Sequence, residues 1–379
     1  MIEGMNDIAL PEDWEILRQW LPKDLDARAR KMGFMQRARG LQDAERWLRL
    51  ILMHVAGGLS LQQTAVRARE LGLAQITGVA LFKRLRKAER WLADLTQYLL
   101  SEHQRLFKVG RSVSTPYRLR IIDATDVQEP GDTGTSLRVH YSLRLPQLTC
   151  DHYELTDDHG GEKLGRFKFQ AGELILADRG YSHRAGVASV LQAGAQVLLR
   201  WNPATFPLEG PRGQSWELLP QLRKLRTGQT GQWRLSFVFG SQRYPLRLCA
   251  RRKSRTQAER ARKKALRKAA RNQSGSPDPQ SLELTAYVLV LTSVPHAELC
   301  ATGVLELYRL RWQIELAFKR LKSLLAFGHV PKSSDQSAKA WMQAKILTSL
   351  LIERVVLCGR FFSPWGYDGG AEPDVAGVH

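Results

Sequence analysis

Up to about residue 110, apolar positions recur at helical spacing, which predicts a run of helices with one buried face each. "LQDAERWLRLILMHVAGG" carries this pattern and closes on a Gly pair, a helix stop. "LSLQQTAVRARELGLAQITGVALFKRLRKAERWLADL" divides into a short helix from Leu61 to about Glu70, a Gly-containing turn and a longer helix starting near Thr77. Two helices across a short Gly turn meet the requirement for a helix-turn-helix. Lys83, Arg84, Arg86, Lys87 and Arg90 on the second would then face phosphates and base edges. The same pattern also suits a helical bundle with a solvated basic face.

From Leu119 the period changes to two. "LRIIDATDV" is a short apolar strand, "RVHYSLRL" alternates, and "LTCDHYELTD" continues as a third strand of an antiparallel meander. "GGEKLGRF" reads as a helical turn, "ELILAD" as a buried strand ending at Asp178, "HRAGVASVLQAG" as a helix and "QVLLRW" as a strand. The order β-β-β-α-β-α-β predicts an α/β fold, a mixed sheet flanked by helices.

Residues 202–281 differ: Pro, Gly and short strands ("WELLPQL", "QWRLSFVFG", "YPLRLCA") lead into a basic helix or arm and a Ser/Gly/Pro linker. An apolar strand within "LELTAYVLVLTS" follows, then "YRLRWQIELAFKRLK" as a helix and a further helix to about Arg360. The expected division is a helical DNA-binding domain over 1–110, a core in two parts over 111–201 and 282–360, a β-rich insertion over 202–281, and a flexible tail over 361–379.

Charge narrows the partners. The chain has 57 Lys and Arg against 37 Asp and Glu, a formal net charge of +20. That excess points to a polyanion, nucleic acid ahead of an acidic membrane surface. Eleven basic residues and one acid lie between Arg251 and Arg271, which reads as a clamp on the DNA backbone or as a solvated arm. The four cysteines contain no CxxC pair, which argues against a zinc finger or a disulfide framework and fits a reducing cytoplasm, with core packing as their default role. Neither a signal peptide nor a membrane span is expected.

Asp123 and Asp178 each sit where an apolar strand ends, with Asp126 a neighbouring candidate. Strand ends hold a carboxylate rigidly yet leave it exposed, although Asp in such places also serves turns. Phosphoryl transfer on DNA commonly places carboxylates around two hard cations, which prefer oxygen ligands. On a helical wheel, Tyr308, Arg311, Glu315, Lys319 and Lys322 share one strip of about 80°. The strip borders the apolar face of Leu307, Leu310, Ile314, Phe318, Leu321 and Leu325, with Arg309, Gln313 and Arg320 on the exposed side. Arg311–Glu315 and Glu315–Lys319 are also (i, i+4) pairs, so plain helix salt bridges remain an alternative.

Tyr308, two residues, Arg311, three residues, Glu315, six residues and Lys322 resemble the Tyr-Arg-Glu-Lys signature of the IS-four family of DDE transposases. "IIDAT" resembles the first acidic motif of that family and "LADRGY" the second. The resemblance covers about residues 40 to 355. It implies an RNase H-like core of the retroviral-integrase superfamily, interrupted by a β-rich insertion. It implies Asp123, Asp178 and Glu315 as the catalytic triad around two Mg2+ ions, replaceable by Mn2+, and Tyr308, Arg311, Lys319 and Lys322 as phosphate contacts. Trp312 and Trp201 would be stacking partners for a flipped base. The implied partners are double-stranded DNA, as terminal inverted repeats and target, with a dimer on DNA and no membrane. The place of action is the cytoplasm, on the nucleoid. A nuclease without strand transfer, or a non-enzymatic DNA-binding regulator, would share parts of this pattern.

Overall fold

A computed structural model describes residues 11–36, 41–106, 115–128, 137–157, 159–271, 277–326, 330 and 335–360. The tail expected over 361–379 lies outside the described residues. Among the described residues no helix is long and apolar enough to cross a membrane.

Six helices come first: α1 (Pro11–Arg18), α2 (Leu25–Lys31), α3 (Ala44–Val55), α4 (Leu61–Glu70), α5 (Gly78–Leu85) and α6 (Glu89–Leu106). Ser60 opens α4 with a capping box to Gln63, and Thr77 caps α5 by accepting from the Ala80 N–H. Gly72 follows α4 in the left-handed region, the usual helix stop. Gly78 lies so close to the start of α4 that a Cβ would sit 3.2 Å from the Leu61 carbonyl.

The helix expected to run on from Thr77 is two helices. Lys87 and Ala88 donate to the carbonyls three residues back, Arg84 and Leu85, which tightens and ends α5. The bend lets Leu81, Leu85, Trp91 and Leu92 all reach the core. Arg84 also departs from expectation. Its guanidinium donates to the Phe34 carbonyl at 2.8 Å and lies over the Trp47 ring, so it supports the bundle. Lys83, Arg86, Lys87 and Arg90 are exposed as expected.

The eight strands are β1 (Arg118–Val127), β2 (Leu137–Arg144), β3 (Thr149–Asp157), β4 (Glu173–Ala177), β5 (Gln196–Arg200), β6 (Thr230–Phe239), β7 (Gln242–Arg252) and β8 (Tyr287–Thr292). They form one sheet in the order β3-β2-β1-β4-β5-β8-β7-β6. β1 to β3 are an antiparallel meander, while β4 runs parallel to β1 and β5 parallel to β4. β8 pairs antiparallel with both β5 and β7, so the insertion strands β6 and β7 continue the core sheet through β8.

Two local expectations fail in this region. "WELLPQL" has the pattern of a strand, yet Leu218–Arg223 is a short helix, α8. Pro220 is its third residue, where its missing N–H would have had no intrahelical partner. In "LELTAYVLVLTS", Asp278 caps α10 (Pro279–Leu284) through the N–H groups of Gln280 and Ser281, which leaves only Tyr287–Thr292 as strand. The basic segment is a helix, α9 (Arg255–Arg271), preceded by Arg252 and Lys253, which are tied inward to the carbonyls of Leu225 and Thr285.

Helices cover both faces of the sheet. α7 (Arg184–Gln192) packs on one face with Trp201, Phe206, Phe237 and Tyr244. The other face takes the N-terminal helices and the last two, α12 (Trp312–Leu324) and α13 (Asp335–Arg360), in one continuous core. The helical N-terminal region is therefore joined to the sheet by shared packing. Cys150 and Cys249 are buried as expected, whereas Cys300 is exposed and caps a helix.

Glu353 of α13 is half-buried against this core, where its carboxyl accepts from the Tyr141 hydroxyl at 3.0 Å and the Cys150 N–H at 3.1 Å. Burial pushes it from its ordinary 4.5 up to about 7, against the opposing effect of these bonds. Because the folded-state value is the higher one, its contribution to stability is full below about 4.5 and is lost as pH rises through about 7. We expect the unfolding free energy to fall across that window by up to about 3 kcal/mol, and Glu353→Gln to flatten the fall. A variant that keeps the full pH dependence would contradict this.

Candidate active site

The parallel registers create the site. Ile122 pairs with Ala177 across β1 and β4, and Ala177 with Leu199 across β4 and β5. The next residue along each strand therefore gives a row at one sheet edge: Asp123, Asp178 and Arg200. Side chains alternate along a strand, so Asp123 shares a face with Ile121, on the side packed by α12. Asp126, three residues on, points to the other face and pairs with its cross-strand neighbour Arg138 at 2.8 Å. Asp126 is thus accounted for by the sheet.

The helix expected from Tyr308 to Lys322 is interrupted. α11 (Ala301–Tyr308), capped by Cys300, passes through a 3-10 turn at Arg309–Arg311 into α12. The tighter winding turns Tyr308 relative to the residues after it by roughly 60° from an unbroken wheel. Ile314 and Phe318 bury against the sheet, and the Phe318 ring meets Tyr141 edge-on at 5.8 Å. Tyr141 is the cross-strand partner of Asp123. That contact, worth about 0.5–1.5 kcal/mol, seats α12 over the row formed by Asp123, Asp178 and Arg200. Gln313, expected on the exposed side, is half-buried, and the Arg320 side chain lies outside the described residues.

Arg311 lies at the centre. Its guanidinium donates to Asp123 Oδ2 at 3.1 Å and, from the other arm, to Glu315 Oε1. The expected (i, i+4) pair therefore exists, and the same guanidinium links α12 to β1. Glu315–Lys319 does not form among the described residues. Arg311 and Asp123 are mostly buried, with side chains 17% and 14% exposed, whereas Glu315 is 55% exposed.

Burial pushes the Asp123 carboxyl up to about 7, reinforced by the charges of Asp178 and Glu162 and opposed by the Ala124 N–H and Arg311. Burial disfavours the Arg311 cation, but Tyr308, Asp178, Asp123 and Glu315 together hold its pKa above the ordinary value. Asp178 opens the 3-10 turn Arg179–Tyr181 without making a side-chain cap, so its carboxylate is not spent on turn chemistry.

The structure thus brings Asp123, Asp178, Arg311 and Tyr308 together, with Glu315 held at the rim by Arg311. Tyr308 Oη is buried with no hydrogen-bond partner among the described residues, and burial beside Asp178 raises its pKa. Lys319 and Lys322 are exposed, without an ion pair among the described residues. Trp201 is ruled out as a stacking surface: it is buried and donates to the Phe206 carbonyl at 2.8 Å. Trp312 is half exposed beside Arg311. Among the described residues, no three His, Cys, Asp or Glu side chains stand close enough to hold an ion jointly. The donors are nevertheless carboxylate oxygens, the set a hard cation takes. Glu315 is held in an ion pair by Arg311.

Two residues at this edge escape a sequence reading. Arg200 is found only through the β4–β5 register. Its charge acts on Arg179 and on Tyr308. Glu162 lies in a Gly-rich loop, where nothing local marks it, yet its charge acts on Asp123 and Tyr181.

Residues 114–351 match the family model described as "Transposase DDE domain". The chain is 32% identical over 349 residues to the putative transposase InsL for insertion sequence element IS186A of Escherichia coli (strain K12), covering 90% of this chain and 93% of that one. It is likewise 32% identical over 350 residues to the transposase for insertion sequence element IS421 of Escherichia coli, with the same coverage. At 22% identity, it matches the transposase for insertion sequence element IS231B of Bacillus thuringiensis subsp. berliner over 83% of this chain and 73% of that one. In fold it resembles the piggyBac transposase, solved by cryo-EM as a synaptic complex with hairpin DNA, with a TM-score of 0.51 and 10% identity over 94% of this chain and 77% of that one. A pair of aspartates where the β1–β4 pairing stops, beneath a helix bearing Arg311 and Glu315, is thus carried on a transposase fold, and the chain belongs to the DDE transposases of insertion sequences.

Proposed function

We propose that this transposase cuts double-stranded DNA at the terminal inverted repeats of its element and joins the freed 3′ ends to target DNA. The observation that carries the reading is the β1–β4 register, which sets Asp123 beside Asp178 beneath the helix of Glu315. In this reading Asp123, Asp178 and Glu315 hold divalent cations, Mg2+ or Mn2+. When bound, such ions would activate the attacking oxygen and stabilise the leaving one.

The chain's own residues supply the rest. Arg311 balances the carboxylates before substrate arrives, and it is also the group best shaped to grip a phosphate with two N–H bonds. An incoming phosphate competes with Glu315 for it and frees the carboxylate. Tyr308 supplies a buried hydroxyl without a partner among the described residues, able to donate to a phosphate oxygen. Lys319 and Lys322 are point charges on the exposed side of α12. The exposed Arg260, Arg262, Lys263, Lys264 and Arg267 on α9 supply a helix of about 25 Å for the DNA backbone. Two ends must be held together for joining, so the working form is a dimer on DNA, in the cytoplasm where the nucleoid lies.

Three outcomes test this. Asp123→Asn, Asp178→Asn and Glu315→Gln should each lower Mg2+-dependent cleavage and strand transfer by 10³-fold or more, on the order of 4 kcal/mol, while a gel-shift assay still shows DNA binding. Robust cleavage by any of the three would remove that residue from the centre. Arg311→Ala should cost about 1–3 kcal/mol in urea denaturation at pH 8, because Asp123 loses its cation. The loss should shrink as pH falls through about 7, where Asp123 can take up a proton. An unchanged midpoint at pH 8 would show that the bridge carries no energy. Changing these five α9 cations to Gln should weaken binding to all sequences and reduce the salt slope by about 0.9 for each phosphate no longer neutralised. An unaltered slope would place α9 away from the DNA.

A further inference from the structure

Glu162 precedes the 3-10 turn Leu164–Arg166 in the loop between β3 and β4. The loop is pinned. Arg138 donates to the Gly160 carbonyl at 3.2 Å, Arg166 to the Gly161 carbonyl at 3.0 Å, and the Asp157 carboxylate takes the N–H groups of His159 and Gly160. Leu164 anchors its far end in the core on the α7 side of the sheet. These contacts fix where the Glu162 side chain can go.

That side chain lies on Gly180, two residues beyond Asp178. A Cβ at Gly180 would collide with the Glu162 carboxylate, so the absence of a side chain there makes the seat. A structural salt bridge does not account for the placement. The two guanidiniums nearest the loop are already engaged: Arg138 with Asp126 at 2.8 Å and Arg166 with Glu154 at 2.7 Å. Glu162 itself forms no ion pair among the described residues.

A second observation points to a ligand. Tyr181 is fully buried, its Oη has no hydrogen-bond partner among the described residues, and its surroundings include the charges of Glu162 and Asp123. A buried hydroxyl left unsatisfied costs about 1–3 kcal/mol, so it marks a place where an oxygen-bearing group or a hydrated ion completes the structure. Glu162 and Tyr181 approach the strand ends from the α7 face, while Arg311 and Glu315 approach from the α12 face.

We propose that Glu162 is a fourth carboxylate of the cation-holding centre, seated on Gly180 and closing that centre from the α7 face. The inference rests on the cation reading above. It gives the centre a carboxylate that Arg311 does not sequester. Asp123, Asp178 and Glu162 would close on the first cation as it binds, and Glu315 would join once Arg311 turns to phosphate. Bound ions would also offset the repulsion among carboxylates packed at one sheet edge.

The test is Mn2+ binding followed by electron paramagnetic resonance, with and without duplex DNA carrying the element's ends. Glu162→Gln keeps the shape and removes the charge. It should weaken Mn2+ binding tenfold or more in both settings while leaving the EDTA-treated protein at least as stable as the parent. Gly180→Ala, which fills the seat, should weaken Mn2+ binding in the same direction. Mn2+ affinity unchanged in Glu162→Gln, alongside loss of binding in Asp178→Asn, would overturn the role of Glu162 and leave the cation reading standing. Absence of Mn2+ binding by the unaltered protein, with and without DNA, would sink both.

Discussion

The parallel pairing of β1 with β4 is the constraint on which the site depends. β1 runs on to Val127 beside β2, but its pairing with β4 stops at Ile122–Ala177, and that one pair decides that Asp123, within β1, and Asp178, just past β4, stand side by side. A slip of one residue would turn one of them to the opposite face of the sheet. The register is held well away from the site. At the other end of these strands, Arg120 and Arg144 share the buried carboxylates of Asp151 and Glu173. Such a network adds little net stability but strongly disfavours any arrangement that would leave one buried charge unpaired. Charges thus fix β1 and β4 at one end and gather for chemistry at the other.

Arg311 then settles how like charges coexist. Asp123 is mostly buried, and without a cation it would favour its protonated form. The guanidinium keeps the carboxylate usable and ties α12 to β1 in the same contact. The excess of positive charge elsewhere in the chain does not compete for this role, because it lies on exposed helices such as α9. A basic exterior draws in the polyanion, and a carboxylate-rich edge waits beneath it.

Much of this is legible in the sequence. Period-two runs place β1 to β5 within a residue or two, because each strand carries its own apolar pattern and ends on turn residues. Asp123, Asp178 and Glu315 are found through motif spacing, and the structure places the first two together with Arg311. What stays hidden depends on contacts distant in sequence. Arg84 looks free for DNA until Phe34 and Trp47 close around it. Trp201 looks available for stacking until Phe206 takes its N–H. The 3-10 turn at Arg309–Arg311 leaves no mark in an apolar pattern that both helix types share. "WELLPQL" misleads because its leucines suit a strand, while Pro220 tolerates only the start of a helix. Glu162 matters only through Gly180, eighteen residues away.

The central claim is that Asp123, Asp178 and Glu315 become one centre when DNA draws Arg311 away. The most direct measurement is a structure of the protein bound to DNA from the ends of its own element, with Ca2+ in place of the catalytic ion. The account predicts cation density shared by Asp123, Asp178 and Glu315, with the Arg311 guanidinium moved from Glu315 onto a phosphate. Cations bound elsewhere, with Arg311 still joined to both Asp123 and Glu315, would contradict it.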